Sequence, residues 1–215
     1  KNAQATGYTR IEVKSKSEVY ELEPNLGPGA HGGLLVPDEG LLDPWSIVIA
    51  LATDFVVNGG TLLRKAEVTK AARIEGRHEL QTAAGTVYAT WVINAAGLNS
   101  DVVDRLLGHD GFTITPRRGQ LIVFDKLARS LVRHVILPVP TATTKGVLVA
   151  PTIYGNVLLG PTAEDLTDKT ATNTTSEALA GLLNKGRAIM PRLVDEEVTA
   201  TYAGLRAASE HSDYC

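Results

Sequence analysis

Three short stretches of the sequence combine residue types able to hold a charged or planar ligand. In the first, Val92-Ile93-Asn94-Ala95-Ala96-Gly97-Leu98-Asn99-Ser100-Asp101, an apolar strand-like run enters small residues that open a helix. Small side chains let a backbone come close to a ligand, and the free N–H groups of a helix start favour an anion. In the second, Thr201-Tyr202-Ala203-Gly204-Leu205-Arg206, an arginine stands at the end of an expected strand beside a glycine. Its guanidinium fork could clamp a carboxylate or phosphate in two bonds, and Tyr202 offers a hydroxyl or a ring wall. In the third, Pro116-Arg117-Arg118-Gly119-Gln120, adjacent arginines on a strand point to opposite faces, so at most one faces any given pocket. Each stretch also has a plain structural account: a strand–helix joint packed with Ala and Gly, an arginine on a sheet edge, solvated charges flanking a turn. Taken singly, the residues favour the plain accounts.

Other chemistries are poorly supplied. The five histidines (His31, His78, His109, His134, His211) are scattered without metal-ligand spacing, and only His31, in a glycine-rich loop, invites attention. The one cysteine, Cys215, is the last residue, so neither a disulfide framework nor a Cys/His metal cluster can be built. There is no Gly-x-Ser-x-Gly nucleophile motif and no P-loop, and no carboxylate pair has a spacing that suggests acid–base work. A net charge of −3, with no basic stripe interleaved with aromatics, argues against a nucleic-acid partner. The longest apolar run, 45–57, is interrupted by Ser46, Thr53 and Asp54 and is too short to span a bilayer.

The elements that must position these residues follow from periodicity and punctuation. Residues 11–13 read as a short strand, Ser17 as the start of a helical turn closed at Glu23-Pro24-Asn25, and 27–33 as a glycine-rich loop before a brief strand at 33–37. Asp43-Pro44 starts a helix whose Ile47, Leu51 and Phe55 keep helical spacing until Asn58-Gly59-Gly60. A β-meander is expected at 61–68, 73–75, 78–82 and 86–94, then a helix at 100–107. Strands follow at 113–115, 120–124, 132–137, 146–151 and 156–159, then a helix capped by Thr175 and a last strand at 197–205. With 215 residues, 44% of them apolar, the chain can bury a sizeable core. The mixture suits two interleaved domains in an α+β fold better than one doubly wound sheet.

In order along the chain, these segments resemble one family. Glu21-Leu-Glu-Pro-Asn25, Leu34-Leu-Val-Pro-Asp-Glu-Gly-Leu-Leu-Asp-Pro44 and Val92-Ile-Asn-Ala-Ala-Gly97 are similar to the D-amino-acid-oxidase-like superfamily of FAD-dependent oxidoreductases. Pro116-Arg-Arg-Gly-Gln120, Gly146-Val-Leu-Val-Ala-Pro-Thr152, Leu159-Gly-Pro-Thr-Ala-Glu-Asp165 and Tyr202-Ala-Gly-Leu-Arg206 narrow the resemblance. The narrower group holds anaerobic-type glycerol-3-phosphate dehydrogenase large subunits and L-2-hydroxyglutarate oxidase-like proteins.

The resemblance implies a partial Rossmann-like FAD module at 44–108, interleaved with a largely antiparallel substrate domain at 1–43 and 109–215. It also implies that Val68 lies against the adenine through its backbone, that Ala95, Ala96 and Gly97 approach the dinucleotide, and that Gly204 leaves room beside it. Arg206 would anchor an anionic substrate, with Tyr202 shaping the pocket. The reaction implied is hydride transfer from a small anionic 2-hydroxy acid or polyol phosphate to flavin N5, in a cytoplasmic or membrane-peripheral enzyme. An amino-acid or imino-acid oxidase would use the same arginine, and a non-catalytic interaction domain is a third reading. No general base is assigned: Leu121 stands where related aerobic enzymes place a histidine. The Gly-x-Gly-x-x-Gly strand–turn–helix that grips the FAD pyrophosphate is missing. The chain, without an initiator Met or signal-peptide apolar region, is therefore expected to be an internal fragment, inactive alone and without bound FAD, and prone to self-association.

Overall fold

The computed structural model describes residues 7–139 and 146–210; His211 and Cys215 lie outside them. Contacts divide the chain into two units. The first comprises Lys1–Asp43, Gly119–Ala163 and Asn173–Gly204, and the second Pro44–Arg118, Glu164–Thr172 and Leu205–Cys215. The stretch 109–215 is thus shared between them. Every strand pair whose register is defined is antiparallel, giving the mixed α+β fold expected.

In the first unit, β1 (Glu12–Ser15) pairs with β2 (Gly32–Leu35) around α1 (Lys16–Leu22). The cap of α1 is Ser15, two residues before the expected Ser17. Its hydroxyl accepts from the Glu18 N–H at 3.4 Å, and the Glu18 carboxylate accepts from the Ser15 N–H at 2.8 Å. This reciprocal box satisfies two otherwise orphaned donors. The core lies under β7 (Leu148–Pro151), β8 (Val157–Gly160) and the second half of β6 (Ile114–Phe124), where Ile122, Phe124, Val149 and Leu159 are buried with Leu182, Met190 and Leu193. Leu182 comes from α4 (Ser176–Ile189), whose N-cap Thr175 was legible in the sequence. Gly186 of that helix abuts Leu159 so closely that a Cβ would lie 2.6 Å from its Cδ2.

Fully buried Gln120 fastens the start of α4: its Oε1 accepts from the Thr175 N–H at 2.7 Å, and its own N–H donates to Thr162 Oγ1 at 2.9 Å. The strand expected at 132–137 does not form, apart from a single bridge between Ile136 and Val149. The reason is local: the Arg133 and His134 N–H groups donate to Glu23 Oε1, at 2.9 and 2.5 Å, instead of to a ladder.

In the second unit, β3 (Val68–Ile74), β4 (Arg77–Thr82) and β5 (Gly85–Ala89) form the meander. Glu75 and Gly76, with φ of 49° and 81°, make the two-residue turn that matches strand twist. Two expectations fail here. Residues 61–67 are not a strand: the chain turns at 64–65, with Lys65 at φ 55°, and pairing begins only at Val68. Residues 91–94, the second half of the strand expected at 86–94, are also outside any ladder, because no described strand runs alongside to take their backbone groups. The helix expected from Pro44 is α2 (Pro44–Val57), and α3 (Ser100–Leu106) follows the 3₁₀ turn Gly97–Asn99.

β6 is one strand where the sequence suggested two. Its buried residues alternate without a break from Ile114 to Phe124, and Arg117 and Arg118 are paired to Asp165 and Glu164 of β9 (Glu164–Asp165). Neutralised in this way, the two charges do not interrupt the strand. The five-stranded sheet runs β10–β6–β8–β7 with β9 also on β6, β10 being Val198–Ser209. β10 continues past the expected end, so Arg206 lies inside the strand and not at its terminus. Among the described residues no helix is long and apolar enough to cross a membrane.

Candidate functional site

The loop of Ala95, Ala96 and Gly97 is exposed, and a Cβ added at Gly97 would meet nothing within 4 Å. Asn94, which had no role on sequence grounds, bridges it: its Oδ1 accepts from the Ala96 N–H at 3.3 Å, and its Nδ2 donates to the Ser100 carbonyl at 2.8 Å. Just beyond, Asp101 is 3% exposed in the first turn of α3. Lys169 Nζ donates to its Oδ1 at 2.7 Å and Arg105 Nη2 to its Oδ2 at 3.3 Å. Burial pushes this carboxyl's pKa up, but the Lys169 contact, a hydrogen bond from the Ile114 backbone and Arg105 together hold it below the ordinary value. The first turn of α3 is thereby locked, although the helix itself spans only seven residues.

Val68 is brought into the same unit, since α3 packs on β3, the strand that Val68 opens. The β3–β4 register slips between Val68 and Lys70, leaving Thr69 as an extra residue whose hydroxyl donates to the Gln81 carbonyl at 3.3 Å. A bulge of this kind re-aims the backbone beside it.

On β10, Tyr202, Gly204 and Arg206 recur at every second residue, and all three are exposed; Ala203, Leu205 and Ala207, between them, are half-buried. A Cβ at Gly204 would meet nothing within 4 Å. This strand face therefore presents an aromatic hydroxyl, a bare backbone and a guanidinium in line. Tyr202 and Gly204 group with the first unit, and Arg206 with the second.

The third arginine stretch does something else. Arg117 Nε and Nη2 donate to the two Asp165 oxygens at 2.6 and 3.0 Å, holding the Asp165 carboxyl below its ordinary pKa. Arg118, 6% exposed, grips Glu164 Oε2 through Nη2 at 2.7 Å and Nε at 3.2 Å. These charges are not the solvated ones that the plain sequence account described; both arginines staple β9 to β6.

The glycine-rich loop contains the literal spacing Gly27-x-Gly29-x-x-Gly32, but it leaves α1 and opens β2, which is not a strand–turn–helix. Two of its three glycines answer to packing, and Gly29, at φ 108° with nothing within 4 Å of an added Cβ, to backbone conformation. A Cβ at Gly27 would sit 2.2 Å from the Ala188 carbonyl oxygen, and one at Gly32 2.8 Å from that of Lys14. A cleft of about 450 Å³ opens beside this loop, lined by Val19, Leu22, Leu35, Ile136 and Ile189, with Glu23 among its walls. Glu23 is 5% exposed, and its Oε1 also meets His134 Nδ1 at 2.8 Å. His31 is exposed. Among the described residues no group of three or more His, Cys, Asp or Glu is placed to hold a metal ion.

Comparison with known proteins gives these positions a context. A family model described as FAD-dependent oxidoreductase (DAO) matches residues 1–214. A glycerol 3-phosphate dehydrogenase of Caloramator mitchellensis is 37% identical over 208 residues, covering 97% of this chain and 43% of the relative. An L-2-hydroxyglutarate dehydrogenase of Escherichia coli (strain K12) is 31% identical, covering 74% of this chain and 38% of the relative. Among solved structures, L-alpha-glycerophosphate oxidase from Mycoplasma pneumoniae with FAD bound superposes with a TM-score of 0.82 at 31% identity, covering 94% of this chain and 54% of that one. The chain thus spans about half the length of the proteins it matches.

Proposed function

Because the chain belongs to the DAO family of FAD-dependent oxidoreductases, we propose that the protein oxidises a small anionic 2-hydroxy acid or a polyol phosphate of the glycerol-3-phosphate kind. The observation that carries this reading is the exposure of Tyr202, Gly204 and Arg206 at every second position along β10. Arg206 holds the substrate's carboxylate or phosphate with its planar fork, which suits either anion. Tyr202 would line the pocket, and Gly204, without a side chain, would let cofactor or substrate approach the strand backbone closely. The family's cofactor fits the remaining residues: small exposed side chains at Ala95, Ala96 and Gly97 permit close backbone approach, and Val68 offers its backbone beside a bulge. FAD, when bound, supplies the hydride acceptor. On this reading 44–108 belongs to the FAD module, and 1–43 with much of 109–215 to the substrate domain.

The identity to a glycerol 3-phosphate dehydrogenase supports the phosphate-bearing substrate over others. The test uses the full-length protein under anaerobic conditions, following the visible flavin band. Glycerol 3-phosphate or L-2-hydroxyglutarate should bleach it, and glycine or L-proline should not. Bleaching by amino acids alone would move the reading to an amino-acid or imino-acid oxidase, whose carboxylate Arg206 would hold equally well. A full-length protein with no flavin band would point to a non-catalytic interaction domain.

A further inference from the structure

We infer that Lys169 is a positioning residue for the loop of Ala95, Ala96 and Gly97, acting through the buried Asp101 carboxylate. The inference rests on the flavin reading of that loop and adds to it the device that holds the loop in place. Lys169 stands 68 residues from Asp101 in sequence, yet its ammonium lies 2.7 Å from Asp101 Oδ1. The segment presenting it, 164–172, groups by contacts with the unit that contains the loop, whereas the chain on either side of it does not. Two arginine forks anchor the start of this segment, Arg117 on Asp165 and Arg118 on Glu164. Asp168 then shapes the turn around Lys169: its Oδ1 accepts from the Thr170 N–H at 2.8 Å and from the Thr170 hydroxyl at 2.6 Å. The lysine is therefore delivered from a fixed base.

Its target sits where it governs the loop. Asp101 is four residues beyond Gly97, in the first turn of α3, so its position sets the direction in which the loop must leave. Asn94 ties the loop's entry to the same turn through the Ser100 carbonyl. The remaining cation at Asp101 is a weaker substitute: Arg105 is 3.3 Å away, its side chain is 46% exposed, and it also reaches Asp110 at 3.7 Å. A carboxylate left buried with a poor partner is strongly unfavourable, and a shift of Asp101 toward water would relieve this. Such a movement would carry the first turn of α3, and the loop with it.

The experiment uses the full-length holoprotein and compares wild type with Lys169→Met and Lys169→Arg. FAD dissociation constants, visible circular dichroism of the bound flavin and the melting temperature of the apoprotein are measured for each. Lys169→Met should weaken FAD binding roughly tenfold or more, the scale on which outer supports of a bound group act. It should also change the flavin dichroism, and Lys169→Arg should restore both. Should the Met variant not accumulate, Lys169→Gln, which keeps a donor without the charge, carries the same measurement. A lowered apoprotein melting temperature with unchanged FAD affinity and dichroism would overturn the inference and leave the ion pair a simple staple. A wild-type protein that binds no FAD would instead overturn the flavin reading itself, and this inference with it.

Discussion

Two side chains summarise how much a single residue can decide here. Arg206 is exposed on β10 and is read as the substrate anchor. Replacing it with Lys keeps the charge but removes the fork, and the two are not interchangeable at a bidentate site. In the full-length enzyme, Arg206→Lys should lower kcat/KM by roughly ten- to a hundredfold, as loss of a charged hydrogen bond would. Flavin content should stay the same, and unchanged kinetics would retire the anchor. Asp101 is the buried counterpart. Its pKa is depressed in the folded state, so its contribution to stability is full above the ordinary value of 3.8 and is lost as pH falls through its lower folded value. Acid-unfolding curves of wild type and Asp101→Asn should therefore diverge at neutral pH, with wild type the more stable, and converge at the acid end of the titration. Parallel curves across that range would show that the charge on Asp101 contributes nothing.

At the scale of elements, caps and staples fix where segments begin. Thr175 caps α4 through its hydroxyl, which accepts from the Ala178 N–H at 3.4 Å and also receives Gln120 Nε2 at 3.4 Å. Thr175→Ala should destabilise the protein by about 1–2 kcal/mol, because the cap is lost and a buried amide donor loses its partner. Denaturant melts would report this as a lower midpoint with the slope preserved. The two arginine forks on β9 act in the same way, holding a two-residue strand that has little pairing of its own.

At the scale of the whole molecule, the two units differ in how much they bury. The clustered apolar core lies within the first unit. In the second, α2 has no buried residue, although Trp45, Val48, Ile49, Leu51 and Phe55 line it, and Trp91 and Ile93 are 86% and 92% exposed. So many exposed large apolar side chains favour association. The 215-residue chain should form dimers or larger species in light scattering, and Trp91→Asp with Ile93→Asp should shift them toward monomer. A concentration-independent monomer would contradict this.

Local rules were enough for much of this protein. The helix from Asp43-Pro44 to Asn58-Gly59-Gly60, the Thr175 cap and the strand on which Tyr202, Gly204 and Arg206 share a face are all set by residues adjacent in sequence. A helix start, a turn or a strand period is decided within a few residues of itself. The ordered motifs likewise carried the family resemblance that the whole-chain match to FAD-dependent oxidoreductases bears out. What failed depended on partners far along the chain. Residues 132–137 have strand composition, but Glu23, more than a hundred residues away, takes the N–H groups a ladder would need. Arg117 and Arg118 read as surface charges until Asp165 and Glu164 close on them. The spacing Gly27-x-Gly29-x-x-Gly32 matches a nucleotide fingerprint in letters alone, and only its place between α1 and β2 shows that close backbone packing required Gly27 and Gly32 and a positive φ required Gly29. Asp101 was visible and Lys169 was not singled out, because a buried carboxylate's need for a cation is set by desolvation, and tertiary structure alone decides what is desolvated and which distant ammonium is within reach.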